Sequence, residues 1–168
     1  MKDDLLEREA AALLDLCRQR GWRLGTAESC TGGLIAAALT AIAGSSDVVE
    51  GGFVTYSNAA KTALLGVPAA LIETVGAVSA EVARAMAEGA LARLPAAHLA
   101  VSATGIAGPG GATQGKPVGL VHFGLARRDG PTIAHAEIFP GNRAAIRHAA
   151  VLRALALLRE AAATHRGP

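Results

Sequence analysis

The chain contains three lysines, Lys2, Lys61 and Lys116. Lys61 stands one turn into a short helical stretch, Asn58 to Leu65, just after Tyr56 and Ser57. A lysine stripped of water at such a strand end has a lowered pKa, and the free amine accepts a proton. Amines of this kind activate serines for acyl transfer, so Lys61 is a candidate general base, against the plainer alternative of a solvated surface lysine. Three serines compete for the nucleophile. Ser57 lies four residues before Lys61 on the same helical face, but it is also placed to cap the helix NAAKTALL. Ser29 sits in the segment ESCTGG, and Ser46 in the turn Gly44-Ser45-Ser46 ahead of the strand that delivers Tyr56. Local spacing does not choose among them.

Other catalytic chemistries find less support. His98, His122, His135, His148 and His165 form no HxH or HExxH pattern, and Cys17 and Cys30 form no CxxC, so no metal is expected. Cys17 falls on the apolar stripe of the first helix and reads as a buried thiol. Gly110, Gly115 and Lys116 begin like a phosphate-binding P-loop, but Pro117 stands where the magnesium-binding hydroxyl would be and a strand follows. That excludes the nucleoside-triphosphatase assignment.

Two glycine-rich segments can hold an anion or an oxyanion. In TGIAGPGG, Thr104 to Gly111, the glycines let main-chain N–H groups of Gly105, Ile106 and Gly108 approach a ligand, and Thr104 adds a hydroxyl. In ESCTGG, Ser29, Thr31, Gly32 and Gly33 offer donors at a helix N-terminus. Glu28 is either an acid/base or acceptor for substrate, or an electrostatic cap for that helix. Arg143, Arg147 and His148 form a local basic group suited to one small anion.

The elements that must position these residues follow from hydrophobic periodicity. Asp4 to Arg20 is amphipathic, with Leu6, Ala10, Leu13 and Cys17 on one face, and Gly21 ends it. Strands are expected at Trp22 to Ala27, Val48 to Tyr56, His98 to Ala103, Val118 to Ala126 and Thr132 to Phe139. Helices are expected at Leu34 to Ala43, apolar all round and therefore buried, at Asn58 to Leu65, Ala69 to Val75, Ser79 to Leu94 with Ser79 as N-cap, and from about Arg143 to Ala163. Helical crossovers favour parallel strands, and the short RRDGP connection makes the last two a hairpin. The expected fold is α/β, a three-layer α/β/α sandwich with a mixed, mostly parallel five-stranded sheet. The suspect segments ESCTGG, TYSNAAK and TGIAGPGG all follow strands, where open α/β sheets bind ligands.

The 168 residues suit one domain, 1–168, and 51% hydrophobic residues exclude disorder. With only 3% aromatics the core must be Ala, Leu, Val, Ile and Gly. A net charge of +2 without a basic patch speaks against nucleic acid as a partner. The start MKDDLLEREA is not a secretory signal and no apolar run reaches the ~20 residues of a membrane span, so a cytoplasmic location without membrane partners is expected. The Ala-rich helical exterior makes a homo-oligomer, a dimer, the expected assembly.

Taken in order, ESCTGG, AGSS, GGFVTYSNAAK, GAVS, SATGIAGPGG, KPVG and FPGNR resemble the nicotinamide-nucleotide amidase family, related to the C-terminal domain of the competence/damage-inducible protein CinA. The resemblance runs from about Leu5 to Ala163 and implies the same sandwich fold in its stand-alone form, without the family's extra N-terminal domain. It implies hydrolysis of the small-molecule substrate nicotinamide mononucleotide to nicotinate mononucleotide and ammonia, in pyridine-nucleotide recycling, with no cofactor. It also implies a serine–lysine mechanism whose serine matches Ser46, whose base is Lys61 and whose assisting tyrosine is Tyr56, and the arginine of its FPG[N/D]R segment matches Arg143. The glycine-loop amides are then expected to hold the oxyanion, and Arg143 with the main-chain amides of 31–33 or 105–108 the phosphate. The competing class is a non-catalytic module that holds a pyridine nucleotide for regulation.

Overall fold

The computed structural model describes residues 4–168; Lys2 lies outside the described residues. The chain runs α1 (Asp4–Arg20), β1 (Leu24–Glu28), α2 (Leu34–Thr40), a 3-10 turn (Ser45–Asp47), β2 (Val49–Val54), α3 (Asn58–Leu65), α4 (Ala69–Val75), α5 (Ala80–Arg93), β3 (Leu99–Gly105), β4 (Leu120–Arg127), β5 (Ile133–Ile138) and α6 (Arg143–Thr164). The sheet has the order β2-β1-β3-β4-β5. Strands β2, β1 and β3 are parallel, and β4 is antiparallel to both β3 and β5. One reversed strand in five makes the sheet mixed and mostly parallel, as expected.

The two faces of the sheet carry separate cores. Ala10, Leu13, Leu14 and Cys17 of α1 pack with Ile146, Ala150, Val151, Ala154 and Leu158 of α6 over one face. Leu65, Ile72, Val82, Met86 and Ala90 from α3 to α5 cover the other. The scarcity of aromatics is matched by close approach. A Cβ at Gly124 of β4 would collide with the Ala83 carbonyl of α5. The buried Ser102 hydroxyl fills that contact, accepting from Gly124 N at 2.9 Å and donating to the Ala83 carbonyl at 2.6 Å.

Caps set the helix starts. Ser57 accepts from Ala60 N at 3.0 Å, Ser79 from Val82 N at 3.3 Å, and Asn142 from Ala145 N at 3.0 Å. The expectation of a fully buried second helix is corrected. α2 stops at Thr40, and Leu34, Ala37 and Thr40 face outward while Ile35, Ala38 and Leu39 face the core. Alanine is apolar in pattern yet small enough to leave exposed at little cost, so the pattern overstates burial.

The topology decides where the chemistry sits. β1, β2 and β3 deliver Ser29, Thr55-Tyr56 and Gly105 to one edge of the sheet. Because β4 reverses the chain, β5 runs parallel to β3 and brings Arg143 to the same edge. Among the described residues no helix is long and apolar enough to cross a membrane.

Candidate active site

Lys61 is the largest fully buried side chain among the described residues, 1% exposed. It is held there because α3 starts directly after β2 and turns its first inward-facing position under the strand ends. The Nζ lies 3.0 Å from Ser29 Oγ, 2.9 Å from the Thr55 carbonyl and 3.3 Å from the Tyr56 carbonyl. All three neighbours are neutral, and no carboxylate forms an ion pair with Lys61 among the described residues. Burial therefore pushes the Lys61 amine below the usual lysine value and outweighs the opposing influence of the nearby Cys30. A neutral amine has two N–H donors and one lone pair. Two carbonyls and one hydroxyl match that inventory: Thr55 and Tyr56 accept the two N–H bonds, and the Ser29 O–H can donate to the lone pair.

Ser29 is 9% exposed and opens a tight turn between β1 and α2. Its N–H donates to the Ala103 carbonyl at 2.9 Å, which extends the β1–β3 pairing by one residue. The Gly32 N–H closes the turn on the Ser29 carbonyl at 3.0 Å. The Cys30 and Thr31 N–H groups have no backbone acceptor among the described residues. The Thr31 hydroxyl is buried without a partner among those residues. Cys30 beside the serine is buried and its thiol is pushed up to about 11, mainly by burial, so it is un-ionised at neutral pH and a poor nucleophile.

Glu28 settles as a cap. Its carboxylate is fully buried, and Oε1 accepts from Ile35 N at 2.8 Å while Oε2 accepts from Ala36 N at 3.0 Å. Both oxygens serve free amides of the α2 N-terminus, so this carboxylate is not available to a substrate.

Ser46 stands elsewhere, and the expectation that it pairs with Lys61 is corrected. It is exposed in the 3-10 turn before β2, whereas Lys61 binds carbonyls just beyond the far end of that strand. β2 has six residues, so about 20 Å of extended chain separates the two. The turn is anchored at the opposite edge: Arg18 donates to the Gly44 carbonyl and to Asp47 Oδ2, each at 3.0 Å, and Arg23 donates to the Asp47 carbonyl at 2.9 Å. Ser57 serves as the α3 cap.

Around Ser29 and Lys61 lies a pocket of about 190 Å³, also lined by Tyr56, Asn58, Ala77, Val78, Thr104, Gly105, Ala107 and Arg143, with no histidine. Tyr56 is 61% exposed and covers the mouth, where its Oη accepts from Arg143 Nη2 at 3.0 Å. Arg143 Nη1 donates to the Gly108 carbonyl at 2.9 Å. The glycine loop therefore presents a carbonyl, not an amide, to this arginine. The Ile106 N–H is spent on the Leu120 carbonyl at 2.9 Å, and the Thr104 hydroxyl donates to the Ala77 carbonyl at 2.9 Å. Of the expected donors, the Thr104 hydroxyl and the Ile106 N–H are consumed in holding the loop, while the Gly108 N–H, like that of Thr31, has no backbone acceptor among the described residues. A larger, mostly apolar groove of about 420 Å³ between α3 and α4, lined by Ala59, Thr62, Ala63, Ile72 and Glu73, contains neither Ser29 nor Lys61.

Several contributors escaped the sequence argument. The Thr55 carbonyl is a backbone atom with no sequence signature. Ala77 and Val78 enter from the loop before α5. Arg147 was legible only as part of a basic group, but its four-residue spacing from Arg143 already put both on one face of α6.

The comparisons agree with this architecture. The chain is 51% identical over 144 residues to "Nicotinamide-nucleotide amidohydrolase PncC" of Enterobacter agglomerans, covering 85% of this chain and 87% of that protein. It is 57% identical over 141 residues to a "CinA-like protein" of Mycolicibacterium vanbaalenii, covering 84% of this chain but 33% of that protein. The chain thus spans about a third of the length of its CinA-like relatives. The crystal structure of "competence/damage inducible protein CihA" from Agrobacterium tumefaciens superposes with a TM-score of 0.90 at 48% identity, over 95% of this chain and 96% of that one. With the CinA C-terminal domain profile matching residues 6–162, the chain belongs to the CinA C-terminal domain family.

Proposed function

We propose that this chain is an amidohydrolase that converts nicotinamide mononucleotide to nicotinate mononucleotide and ammonia, with Ser29 as nucleophile and Lys61 as general base. The observation that carries the mechanism is the buried contact of 3.0 Å between Lys61 Nζ and Ser29 Oγ, made with no acidic partner for the lysine among the described residues. The choice of substrate is supported by the relative named a nicotinamide-nucleotide amidohydrolase at 51% identity.

In this mechanism neutral Lys61 takes the Ser29 proton as Oγ attacks the carboxamide carbon. The carbonyl oxygen becomes an oxyanion, for which the Thr31 N–H of the same turn, with no backbone acceptor among the described residues, is the proposed donor. The Lys61 ammonium then gives its proton to the departing nitrogen, so ammonia leaves and the nicotinoyl ester of Ser29 remains. Water, deprotonated by Lys61, attacks that ester and returns the serine hydroxyl. A pocket of about 190 Å³ is smaller than the roughly 300–1,000 Å³ of sites that enclose a whole drug-sized ligand. It suits the pyridine carboxamide, leaving ribose and phosphate at the mouth beside the exposed Arg143. This role belongs to pyridine-nucleotide recycling.

The deciding experiment incubates purified protein with nicotinamide mononucleotide and measures ammonia and nicotinate mononucleotide. Equal release of both is expected. Binding of the nucleotide without release of either product would replace this function with that of a nucleotide-holding module.

A further inference from the structure

Among the described residues, Arg147 is the one side chain that grips the nucleophile turn from outside. It projects from α6 one turn after Arg143 and is half-buried. Its Nε donates to the Cys30 carbonyl and its Nη2 to the Thr31 carbonyl, both at 3.1 Å. We propose that Arg147 is a positioning residue for the reaction, holding the Cys30–Thr31 peptide so that its N–H faces the site of the oxyanion. This inference rests on Ser29 being the nucleophile.

The argument is one of peptide geometry. In a trans peptide the carbonyl and the following N–H point in opposite directions. A guanidinium fixed on the Cys30 carbonyl therefore turns the Thr31 N–H to the opposite side, and that N–H has no backbone acceptor among the described residues. A full positive charge on the carbonyl also polarises the peptide and strengthens its N–H as a donor. The second bond, to the Thr31 carbonyl, fixes the next peptide, whose Gly32 N–H closes the turn on Ser29. A planar fork suits two successive carbonyls better than a single ammonium does. The turn leaves room for it: a Cβ at Gly32 would stand 3.2 Å from Arg147 Nη2, and Gly32 has φ +60°. Buried Glu28 anchors the inner side of the same turn through the α2 amides, so Arg147 supplies the only side-chain hold on carbonyls 30 and 31 among the described residues. Arg147 is half-buried and does not line the pocket, whereas Arg143 is exposed at its mouth, so the substrate phosphate falls to Arg143.

The test compares wild type, R147A and R147K by steady-state kinetics on nicotinamide mononucleotide and by hydrogen exchange of the segment 29–33. In R147A, kcat is expected to fall about 10- to 100-fold with KM within about twofold, as for a misplaced transition-state donor. The amides of the turn should exchange faster, and added methylguanidinium should restore part of the turnover. R147K, which keeps a cation but loses the fork, should fall between the two and stands in if R147A does not fold. Unchanged kcat and exchange, or a raised KM at full kcat, would overturn the proposal, the latter making Arg147 a phosphate ligand. If wild type itself releases no ammonia, the amidase function fails, while the exchange measurement still reports whether Arg147 holds the turn.

Discussion

Lys61 Nζ and Ser29 Oγ meet 3.0 Å apart although 32 positions of chain separate them. The meeting is made by two adjacent parallel strands, β1 and β2, whose carboxyl ends stop at the same level. Ser29 follows β1 directly, and Lys61 reaches back from α3 to bond the carbonyls that follow β2. The consequences of that contact can be measured separately.

Ser29→Ala should lower kcat by about a thousandfold or more, since removing the nucleophile of a serine hydrolase leaves only the contribution of binding and oxyanion donors. Ser46→Ala, at an exposed turn on the opposite edge, should leave kcat and KM within about twofold. The opposite outcome in steady-state assays would return the nucleophile to Ser46.

In the proposed mechanism Lys61 acts as a free amine, so kcat/KM should rise with pH as one proton is lost, at a pH below the ordinary lysine value of 10.5. Lys61→Arg should be inactive across that range, because a guanidinium stays charged. Stability carries the same signature. Between the lowered folded pKa and the ordinary value, the unfolded chain binds a proton that the folded chain does not. Stability relative to Lys61→Met should therefore increase with pH there, by at most about 1.4 kcal/mol per pH unit, and level off above it. Denaturant titrations at several pH values check the slope; a decrease would mean that Lys61 is charged in the fold.

Arg143→Ala should raise KM about tenfold or more with a smaller change in kcat, because a phosphate contact remote from the reacting carbon serves ground and transition states alike. Initial rates over a wide substrate range test it. A fall in kcat at constant KM would place Arg143 at the chemistry instead.

Glu28→Gln should destabilise the protein by about 1–3 kcal/mol, because one of two buried amides now faces an NH2 group. Thermal unfolding reads this directly. Loss of turnover with unchanged stability would contradict the capping role and revive Glu28 as an acid or base.

Much of the architecture was legible in the chain itself. The bounds of α3 and α4 and the caps Ser57 and Ser79 follow from local chemistry, since Gly66, Pro68 and serine hydroxyls act within a few residues. The β4–β5 hairpin follows from a connection too short for any crossover. The choice between capping and catalysis for Glu28 was not legible, because it depends on whether the carboxylate turns toward the amides of α2 or toward the pocket.

Sequence alone determined the fold class, the strand ends that bear chemistry and the candidacy of Lys61, because periodicity and turn residues act locally. Only the tertiary structure decided which serine that lysine touches. Ser29 and Ser46 are both small hydroxyls in glycine-containing turns; what separates them is strand direction, which carries Ser29 to the carboxyl edge of the sheet and leaves Ser46 at the amino edge.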